Sequence, residues 1–354
     1  MSLKILHLPT STGGNSIGLS SAEKLLGYDS KILTLSSQFN QYPADIDLKV
    51  SENSRLINLI NRLTTFFKVR NQFDVYHFNF GTTILDLSRF GIPLADLPFY
   101  KKNAKKIVTY NGCDIRQKYP TMNHYKIAAC HEKACYNGQC NSGKLDKIRR
   151  LRIKKMQQHV DKIFAVNPDL IKFLPEGSEF LPYTITNWDK IRQPSTKKDN
   201  QTLRIVHAPT NRAAKGSKYV ESALNKLSTK YNNIDVIFVE NKTHDEALNI
   251  YKTADLVIDQ VLVGWYGAFA VEVMKMGIPV ACYIREEDLI HIPEKMRFDL
   301  ADTIINIDPF SIEEKIGHYL DNPKLLKDKA QAALDYVHYW HDPIRIANYV
   351  AEFY

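Results

Sequence analysis

A glycine-rich stretch from Asp259 to Val280 carries residue types suited to binding an anionic ligand. A predicted buried strand ends at Asp259, the chain turns through Gly264 and Gly267, and a helical pattern follows. Strand, glycine turn and helix in this order bring backbone N–H groups and the positive end of a helix dipole to one point, which suits a phosphate group. The stretch is therefore a candidate phosphate site at the carboxyl end of a strand.

One carboxylate, Glu272, lies among apolar residues in the helix of this stretch. A buried carboxylate needs hydrogen-bond partners, and the hydroxyl groups of a ribose would supply them. In the alternative interpretation, Glu272 faces water and pairs with Lys275, one turn later on the same helix. The residues of the stretch leave both interpretations open.

Three cysteines recur at five-residue intervals in a loop rich in Asn, Gly and Lys. They are Cys130, Cys135 and Cys140, with His131 and His124 nearby. Three thiolates and one imidazole could complete a tetrahedral structural zinc site, although the usual pair of cysteines two residues apart is missing. The alternatives are reduced cysteines packed in the loop and a redox pair.

A basic amphipathic helix is predicted directly after the cysteine loop. Lysines and arginines between Lys144 and Lys155 alternate with Leu, Ile and Met at helical spacing. A solvated helix face is one interpretation of this pattern. Contact with the anionic inner surface of a membrane is the other.

The composition is typical of a protein with ordinary globular cores. The chain has 354 residues, 44% hydrophobic and 24% charged, which is enough for two domains. No apolar run reaches the roughly 18 to 20 residues of a membrane-spanning helix, and the start of the chain is too polar for a signal peptide. These features predict a cytoplasmic protein. The net charge of +8 predicts attraction to an anionic partner.

Strands and helices alternate along the chain. Short apolar runs between residues 4 and 110 are separated by segments long enough for crossover helices, and the alternation restarts after a polar linker. This pattern predicts two parallel sheets covered by helices. We expect an N-terminal domain at 1–185, a C-terminal domain at 202–335, and a last helix at 336–354 that returns to the first domain.

Polar groups also follow strands of the N-terminal half, where parallel sheets bind ligands. His77 and Asn79 end one predicted strand, and Asn111 and Asp114 follow the next. The loop TSTGGNSIG follows the first strand, but it lacks the three-glycine spacing of a dinucleotide site.

Two motifs in the second half, taken in order, resemble those of retaining glycosyltransferases of family 4, the glycogen-synthase-like group. The loop HAPTNRAAKGSKYV resembles the lysine–glycine donor loop, and the stretch from Asp259 resembles the paired-glutamate motif. The segments DVYHFNFG, YNGCDIR and STGGNSIGLSSAEKLLGYDS resemble parts of the family's N-terminal domain. The resemblance covers nearly the whole chain, and it implies the GT-B architecture of two Rossmann-like domains with parallel sheets facing a central cleft.

The resemblance also implies roles for the matching positions. Lys215, assisted by Arg212, would bind the donor's diphosphate, where negative charge develops as the sugar bond breaks. Glu272 would accept hydrogen bonds from the ribose, and the transfer would need no bound metal. The other implied donor-binding residues are Gly13, Gly14, His207, Thr210, Asn211, Trp265, Tyr266 and the backbone N–H groups of Gly267 and Ala268. The acceptor-side residues are His77, Asn79, Asn111 and Asp114.

Three positions depart from the family pattern. Gly264 stands where the first acid is expected, so a side-chain contact to the transferred sugar is absent or comes from Trp265 or Tyr266. Asn111 replaces a histidine and Thr210 replaces an arginine. The nucleotide end of the motif is kept, whereas the end that contacts the sugar is changed.

These features predict a retaining glycosyltransferase that moves a hexose or N-acetylhexosamine from a UDP- or GDP-type sugar. We expect a glycan or lipid-linked acceptor of cell-surface polysaccharide synthesis, reached in the cytoplasm or at the inner face of the membrane. The alternative is an epimerase or hydrolase of nucleotide sugars on the same two-domain frame. A nucleic-acid-binding protein is disfavoured, because the basic run lacks interleaved aromatic residues and no recognition motif occurs.

Overall fold

The chain folds into two compact units, each with its own sheet. The computed structural model describes residues 2–36, 44–50, 54–194 and 202–354. The first unit comprises 1–117, 143–188 and 342–354, and the second comprises 118–142 and 189–341. Part of the predicted linker, 195–201, lies outside the described residues.

All strands pair in parallel, which confirms the predicted sheet type. The first unit contains β1 (Lys4–Leu8), β2 (Asp29–Thr34), β3 (Ile46–Asp47), β4 (Val75–Asn79), β5 (Lys105–Tyr110), β6 (Lys162–Ala165) and β7 (Glu179–Phe180). The second contains β8 (Leu203–His207), β9 (Ile234–Phe238), β10 (Leu256–Ile258), β11 (Val280–Cys282) and β12 (Ile305–Asn306).

Helices connect the strands of both sheets. Numbered along the chain, they are α1 (Asn15–Leu25), α2 (Arg55–Val69), α3 (Lys118–His124), α4 (Lys144–Met156), α5 (Arg212–Lys215), α6 (Ser217–Lys230), α7 (His244–Tyr251), α8 (Ala268–Lys275), α9 (Glu294–Thr303), α10 (Ile312–Asp321), α11 (Lys324–Trp340) and α12 (Pro343–Ala351). Across the described ranges, no helix combines the length and apolar character needed to span a bilayer.

Each sheet has a switch point, where the chain reverses the direction in which it adds strands. The first sheet has the order β3-β2-β1-β4-β5-β6-β7, so its switch point lies between β1 and β4. The second has the order β12-β11-β10-β8-β9, with the switch point between β8 and β10. Open parallel sheets bind ligands in the crevice at these points, beyond the carboxyl ends of the strands.

The last helix belongs to the first unit, but the helix before it does not. Ile346 and Val350 of α12 pack with Leu19 of α1 and Ile5 of β1 in one buried cluster. Helix α11 remains in the second unit, so the boundary falls at 341/342 rather than at the expected 336. The apolar face of α12 is what ties the C-terminal segment to the first sheet.

The segment 118–142, which contains the cysteine loop, belongs to the second unit rather than to the expected N-terminal domain. Ile127 and Ala129 pack against the core around Ile205 and Leu262. The backbone N–H of Ala129 also donates to the carbonyl of Leu262 over 3.0 Å. Apolar contacts formed far along the chain therefore decide where this segment folds.

Candidate functional site

Three segments of the second unit meet at the switch point between β8 and β10. Lys215 ends α5, Asp259 follows β10, and Gly267 precedes α8. Lys215 Nζ lies 2.6 Å from Asp259 Oδ1, and the Gly267 N–H donates to Asp259 Oδ2 over 2.9 Å. The Asp259 side chain is fully buried, whereas that of Lys215 is 13% exposed. One buried carboxylate thus holds the lysine ammonium group beside the start of α8.

The lysine lies on a turn that only glycine can complete. Gly216 has φ +76°, and a Cβ atom there would lie 2.5 Å from a methyl carbon of Val261. Asn211 begins the turn, because its Oδ1 accepts the N–H of Ala214 over 2.9 Å. The Lys215 carbonyl accepts the N–H of Val261 over 3.0 Å. These contacts hold the backbone of Lys215 in place beside the end of β10.

The first turn of α8 presents backbone donors next to the lysine. The N–H groups of Ala268 and Phe269 have no acceptor within the described ranges, and both residues are partly exposed. The expectation that Gly267 N–H faces a phosphate is wrong, because Asp259 accepts that hydrogen bond. The available donors are therefore those of Ala268 and Phe269, at the positive end of the helix dipole.

His207, at the end of β8, is fully buried and packs beneath the turn that contains Lys215 and Gly216. Its Nδ1 lies 2.8 Å from the carbonyl oxygen of Ile258, which can only accept, so Nδ1 carries the proton. Its Nε2 lies 2.8 Å from Ser217 Oγ at the start of α6. Burial lowers the pKa of His207 and favours the neutral ring. His207 joins β8, β10 and α6. Its side chain is not exposed, so it does not make the expected contact with the sugar donor.

Glu272 is buried on α8 and pairs with a histidine that the sequence analysis did not identify. Its Oε1 lies 2.7 Å from Nε2 of His244, and this hydrogen bond raises the pKa of His244. Glu272 Oε2 has no hydrogen-bond partner within the described part of the chain. The interpretation that pairs Glu272 with Lys275 is wrong, because Lys275 Nζ lies 2.7 Å from His338 Nε2.

A signal for His244 is present in the sequence. Thr243 and Glu246 form a capping box, in which the Thr243 side chain accepts the Glu246 N–H and the Glu246 side chain accepts the Thr243 N–H. This Thr-x-x-Glu pattern predicts a helix that begins at His244. Nothing local predicts that this helix start lies against Glu272.

Arg285 explains why position 264 is glycine. A Cβ atom at Gly264, which has φ +89°, would lie 2.5 Å from the Arg285 guanidinium carbon. Asp288 and the Ile127 carbonyl each accept a hydrogen bond from that guanidinium over 2.9 Å, and the group lies 3.7 Å from the centre of the Tyr125 ring. An arginine therefore occupies the space beside the position where the resemblance implies an acid.

Trp265 and Tyr266 do not replace the missing sugar contact in this structure. Both are 0% exposed, and their rings stack with centroids 4.5 Å apart. The Tyr266 hydroxyl lies 2.9 Å from both the Tyr336 hydroxyl and His341 Nε2. The expectation that either side chain faces the donor is corrected, since both belong to the core.

Arg212 and Thr210 lie on the exposed side of the same loop. Arg212 is 44% exposed at its side chain and pairs with Glu221 over 2.6 Å and with Glu240 over 3.1 Å. Thr210 is exposed. The structure thus places Lys215, but not Arg212, against Asp259.

The first unit has its own glycine turn at its switch point. Gly13 and Gly14 have φ of +61° and +72° and lead into α1. A Cβ atom at Gly14 would lie 3.1 Å from the Thr186 side chain. The Thr184 N–H donates to Asn15 Oδ1 over 2.9 Å. The turn is closely packed against the chain that follows β7.

The expected acceptor-side residues are held by hydrogen bonds inside the first unit, and one buried acceptor atom is left without a partner. Asp114 accepts the N–H groups of Asn111 and Gly112 over 2.9 and 2.6 Å, and burial raises its pKa. Asn79 is 3% exposed, and its amide donates to the carbonyl of His77 over 3.1 Å. Asn111 Oδ1 has no hydrogen-bond partner within the described ranges.

His77 was expected on the acceptor face, and the structure corrects this expectation. Its side chain is 0% exposed, and Nε2 lies 2.7 Å from Thr109 Oγ1 inside the first unit. The odd and even positions of β4 face opposite sides of the sheet, and His77 faces the side that α1 covers.

The cysteine loop lies in the second unit, and Cys130, Cys135 and Cys140 are each partly exposed. Among the described residues, the one group of three His, Cys, Asp or Glu side chains close enough to hold an ion is His7, Glu23 and His77. Zinc binding by the three cysteines stays a prediction.

The two parallel sheets form an α/β architecture that matches solved structures of the GT-B type. Sucrose-phosphate synthase from Thermosynechococcus elongatus is similar with a TM-score of 0.62 and 12% identity, covering 99% of this chain and 98% of that one. HepE from Anabaena, solved in complex with UDP-glucose, is similar with a TM-score of 0.61 and 11% identity. The match covers 99% of this chain and 98% of HepE. UDP-GlcNAc 2-epimerase from Neisseria meningitidis bound to UDP-GlcNAc gives 0.52 and 15%, covering 99% of both chains.

At these identities the similarity shows the fold, and it confirms the prediction of two Rossmann-like units. No protein-family model matches the chain, and no curated protein matches it by sequence.

Proposed function

We propose that this chain is a retaining glycosyltransferase that uses a UDP- or GDP-type sugar as donor. The observation that carries the proposal is the meeting of Lys215, Asp259 and the first turn of α8 at the second switch point. A cation and unpaired backbone donors together suit a diphosphate. The solved structures with UDP-glucose and UDP-GlcNAc bound to the same fold support this choice of donor class.

The proposed chemistry follows from the groups at this junction. Lys215 and the N–H groups of Ala268 and Phe269 would stabilise the negative charge that develops on the leaving diphosphate. Glu272 would accept a ribose hydroxyl at Oε2, while His244 holds Oε1 in place. Because these groups supply positive charge, we expect transfer to proceed without a divalent metal, and activity should survive treatment with EDTA.

The acceptor proposed for the first unit is a glycan or a lipid-linked glycan of cell-surface polysaccharide synthesis. Asn111 follows β5 at the carboxyl edge of the sheet. Its Oδ1 is buried and unpaired, so the side chain would turn outward to accept a hydrogen bond from a sugar hydroxyl. The transferred group would be a hexose or an N-acetylhexosamine. Replacing Asn111 with Ala should raise the KM for acceptor more than the KM for donor.

An exposed apolar helix face supports attraction to a membrane surface. On α2, Leu56, Ile57, Ile60 and Phe67 are 70%, 58%, 49% and 61% exposed. We propose α2, with Arg55 and Lys68, as a further surface, besides α4, that contacts anionic lipid.

Helix α4 was predicted to contact lipid. Its Lys147, Arg150 and Lys154 are exposed, whereas Arg152 pairs with Asp86 of the same unit. The contact of α4 with lipid stays a prediction.

The second candidate is an epimerase or hydrolase of nucleotide sugars, favoured by the similarity to UDP-GlcNAc 2-epimerase. The two candidates differ in whether donor is consumed when no acceptor is present. Purified protein incubated with a panel of UDP- and GDP-sugars, and followed by proton NMR, separates them. A transferase leaves the donor intact without acceptor. Rapid acceptor-free conversion would reject the transferase and support the second candidate.

With an acceptor present, the anomeric configuration of the product tests the finer proposal. Retention of the donor's configuration supports the retaining mechanism, and inversion contradicts it. Thermal-shift measurements with UDP and GDP, made first, identify the nucleotide with which to run the assay.

A further inference from the structure

A buried cluster of two histidines and a glutamate lies in the first unit, away from the donor site just described. His7 on β1 and His77 on β4 are paired in register across neighbouring parallel strands, so both imidazoles project from the same face of the sheet. Helix α1 covers that face and contributes Glu23. All three residues are 0% exposed, and the imidazole centroids are 4.8 Å apart.

The hydrogen bonds of the cluster leave one nitrogen of each ring without a partner. His7 Nε2 lies 2.8 Å from Glu23 Oε2, and His77 Nε2 lies 2.7 Å from Thr109 Oγ1. Both Nδ1 atoms are buried and have no hydrogen-bond partner in the part of the chain that the structure describes. Burying a polar atom without a partner is unfavourable, and here two such atoms lie in one cluster.

The charge of the cluster also favours a cation. Ser30 Oγ donates to Glu23 Oε2 over 2.6 Å, and the Tyr354 hydroxyl hydrogen-bonds to Oε1. No lysine or arginine among the described residues forms an ion pair with Glu23. The cluster therefore combines a buried carboxylate with two imidazoles, and both kinds of group are metal ligands.

We propose that His7, His77 and Glu23 bind a divalent transition-metal ion of the zinc type. Two imidazole nitrogens and one carboxylate oxygen are a ligand set that such ions accept. Their ligand atoms already lie within 4.8 Å of one another. Two nitrogens on one tetrahedral zinc ion are about 3.3 Å apart. Glu23 lies at His7 Nε2, on the ring edge opposite Nδ1, so the His7 ring would flip to bring Nδ1 and the Glu23 carboxylate onto the same ion.

The ion would join β1, β4 and α1 at the first switch point. Because α1 directly follows the turn of Gly13 and Gly14, the ion would fix that turn relative to the sheet. The cluster is chemically distinct from the predicted cysteine site, since it offers nitrogen and oxygen ligands instead of thiolates. Its tests count bound metal and do not depend on the proposed transferase activity.

The first test removes the competing thiolates. The full chain carrying Cys130→Ser, Cys135→Ser and Cys140→Ser is produced in medium supplemented with zinc or cobalt, and bound metal is counted by elemental analysis. We expect about one ion per chain, with a cobalt spectrum free of thiolate charge-transfer bands. A metal-free protein would overturn the proposal.

The second test removes a ligand. In the same background, His77→Gln should lower the bound metal at least ten-fold, whereas His159→Gln should leave it unchanged, because His159 lies on the same unit outside the cluster. X-ray absorption at the zinc edge of the background protein gives an answer even if His77→Gln does not fold. Imidazole scattering from two histidines is the expected result, and a coordination shell without imidazole would overturn the proposal.

Discussion

The two units begin alike and then diverge at their switch points. Each passes from its first strand through a turn with glycines at positive φ, Gly14 in one and Gly216 in the other, into a helix. Only the second turn carries a cation, because the loop at 9–18 contains no lysine or arginine, whereas Lys215 precedes Gly216. The same type of turn thus places a lysine at the proposed anion site of one unit and forms a neutral, closely packed turn in the other.

The buried histidines on the first strands show the same divergence. His207 uses both ring nitrogens to join β8, β10 and α6, so it is a completed structural contact. His7 uses one nitrogen and leaves the other buried without a partner among the described residues. The histidines near the ends of the two first strands therefore differ in whether a ring nitrogen is left unpaired.

Replacing either turn glycine with alanine should lower the free energy of unfolding, and the loss should be larger for the glycine of the second unit. Gly216→Ala combines a strained φ with a Cβ atom only 2.5 Å from a Val261 methyl carbon, and we expect the free energy of unfolding to fall by about 3 kcal/mol. Gly14→Ala meets Thr186 at 3.1 Å and should cost about 2 kcal/mol. The measurement is chemical denaturation of each variant.

Gly27→Ala is the matched control for these glycines. It has φ +91° but no atom within 4 Å of the added Cβ, so only the backbone strain of about 1 kcal/mol should appear. If Gly216→Ala costs no more than Gly27→Ala, the close packing of the lysine turn is contradicted.

The pair of Glu272 and His244 should make the stability of the second unit depend on pH. The hydrogen bond to Glu272 raises the pKa of His244, so the folded state binds the proton more tightly. This stabilisation is complete below the unfolded pKa near 6.5 and is lost as the pH rises through the folded pKa. Glu272→Gln should therefore destabilise by about 1.5 kcal/mol at low pH and by less at high pH.

Denaturation at two pH values, on either side of the His244 titration, provides the measurement. Lys275→Ala serves as the control, because Lys275 contacts His338 and not Glu272. An equal effect of Glu272→Gln at both pH values would argue against a protonated His244 in the pair.

Binding to a membrane surface should change least among the predicted effects, and it should depend on the first unit alone. Ile57→Asp with Ile60→Asp places charges on the exposed face of α2, and we expect several-fold weaker flotation with phosphatidylglycerol vesicles. Leu25→Asp, at a position 71% exposed on α1, should leave flotation unchanged. Equal flotation of all three proteins would remove α2 as a lipid-contacting surface.

Local features of the chain were predictable from sequence because they depend on neighbouring residues. The alternation of strands and helices, the glycine turns and the start of α8 all follow from hydrophobic period and glycine placement. The sequence also predicted Asp259 as a polar residue at the end of a buried strand. Its contact with Lys215, 44 positions away, needed the parallel pairing of β8 and β10.

Features decided by packing between distant segments were not predictable. The segment 118–142 joins the second unit through Ile127 and Ala129, although it follows β5 of the first. Trp265 and Tyr266 are large aromatic residues beside glycines, and their burial depends on α11 and its C-terminal end. Arg285 gave no sequence signal, yet its guanidinium lies where a Cβ atom at position 264 would be, and φ of +89° also favours glycine there.

The central claim is that Lys215 makes the second switch point a diphosphate site, and calorimetry tests it directly. UDP and GDP are titrated into the unmodified protein, into Lys215→Ala, and into Lys226→Ala, whose exposed lysine pairs with Glu313 on the same unit. We predict that one of the two nucleotides binds, that Lys215→Ala weakens its binding at least about 30-fold, or about 2 kcal/mol, and that Lys226→Ala does not. Equal affinity of Lys215→Ala and the unmodified protein, or no binding of either nucleotide, would contradict the account.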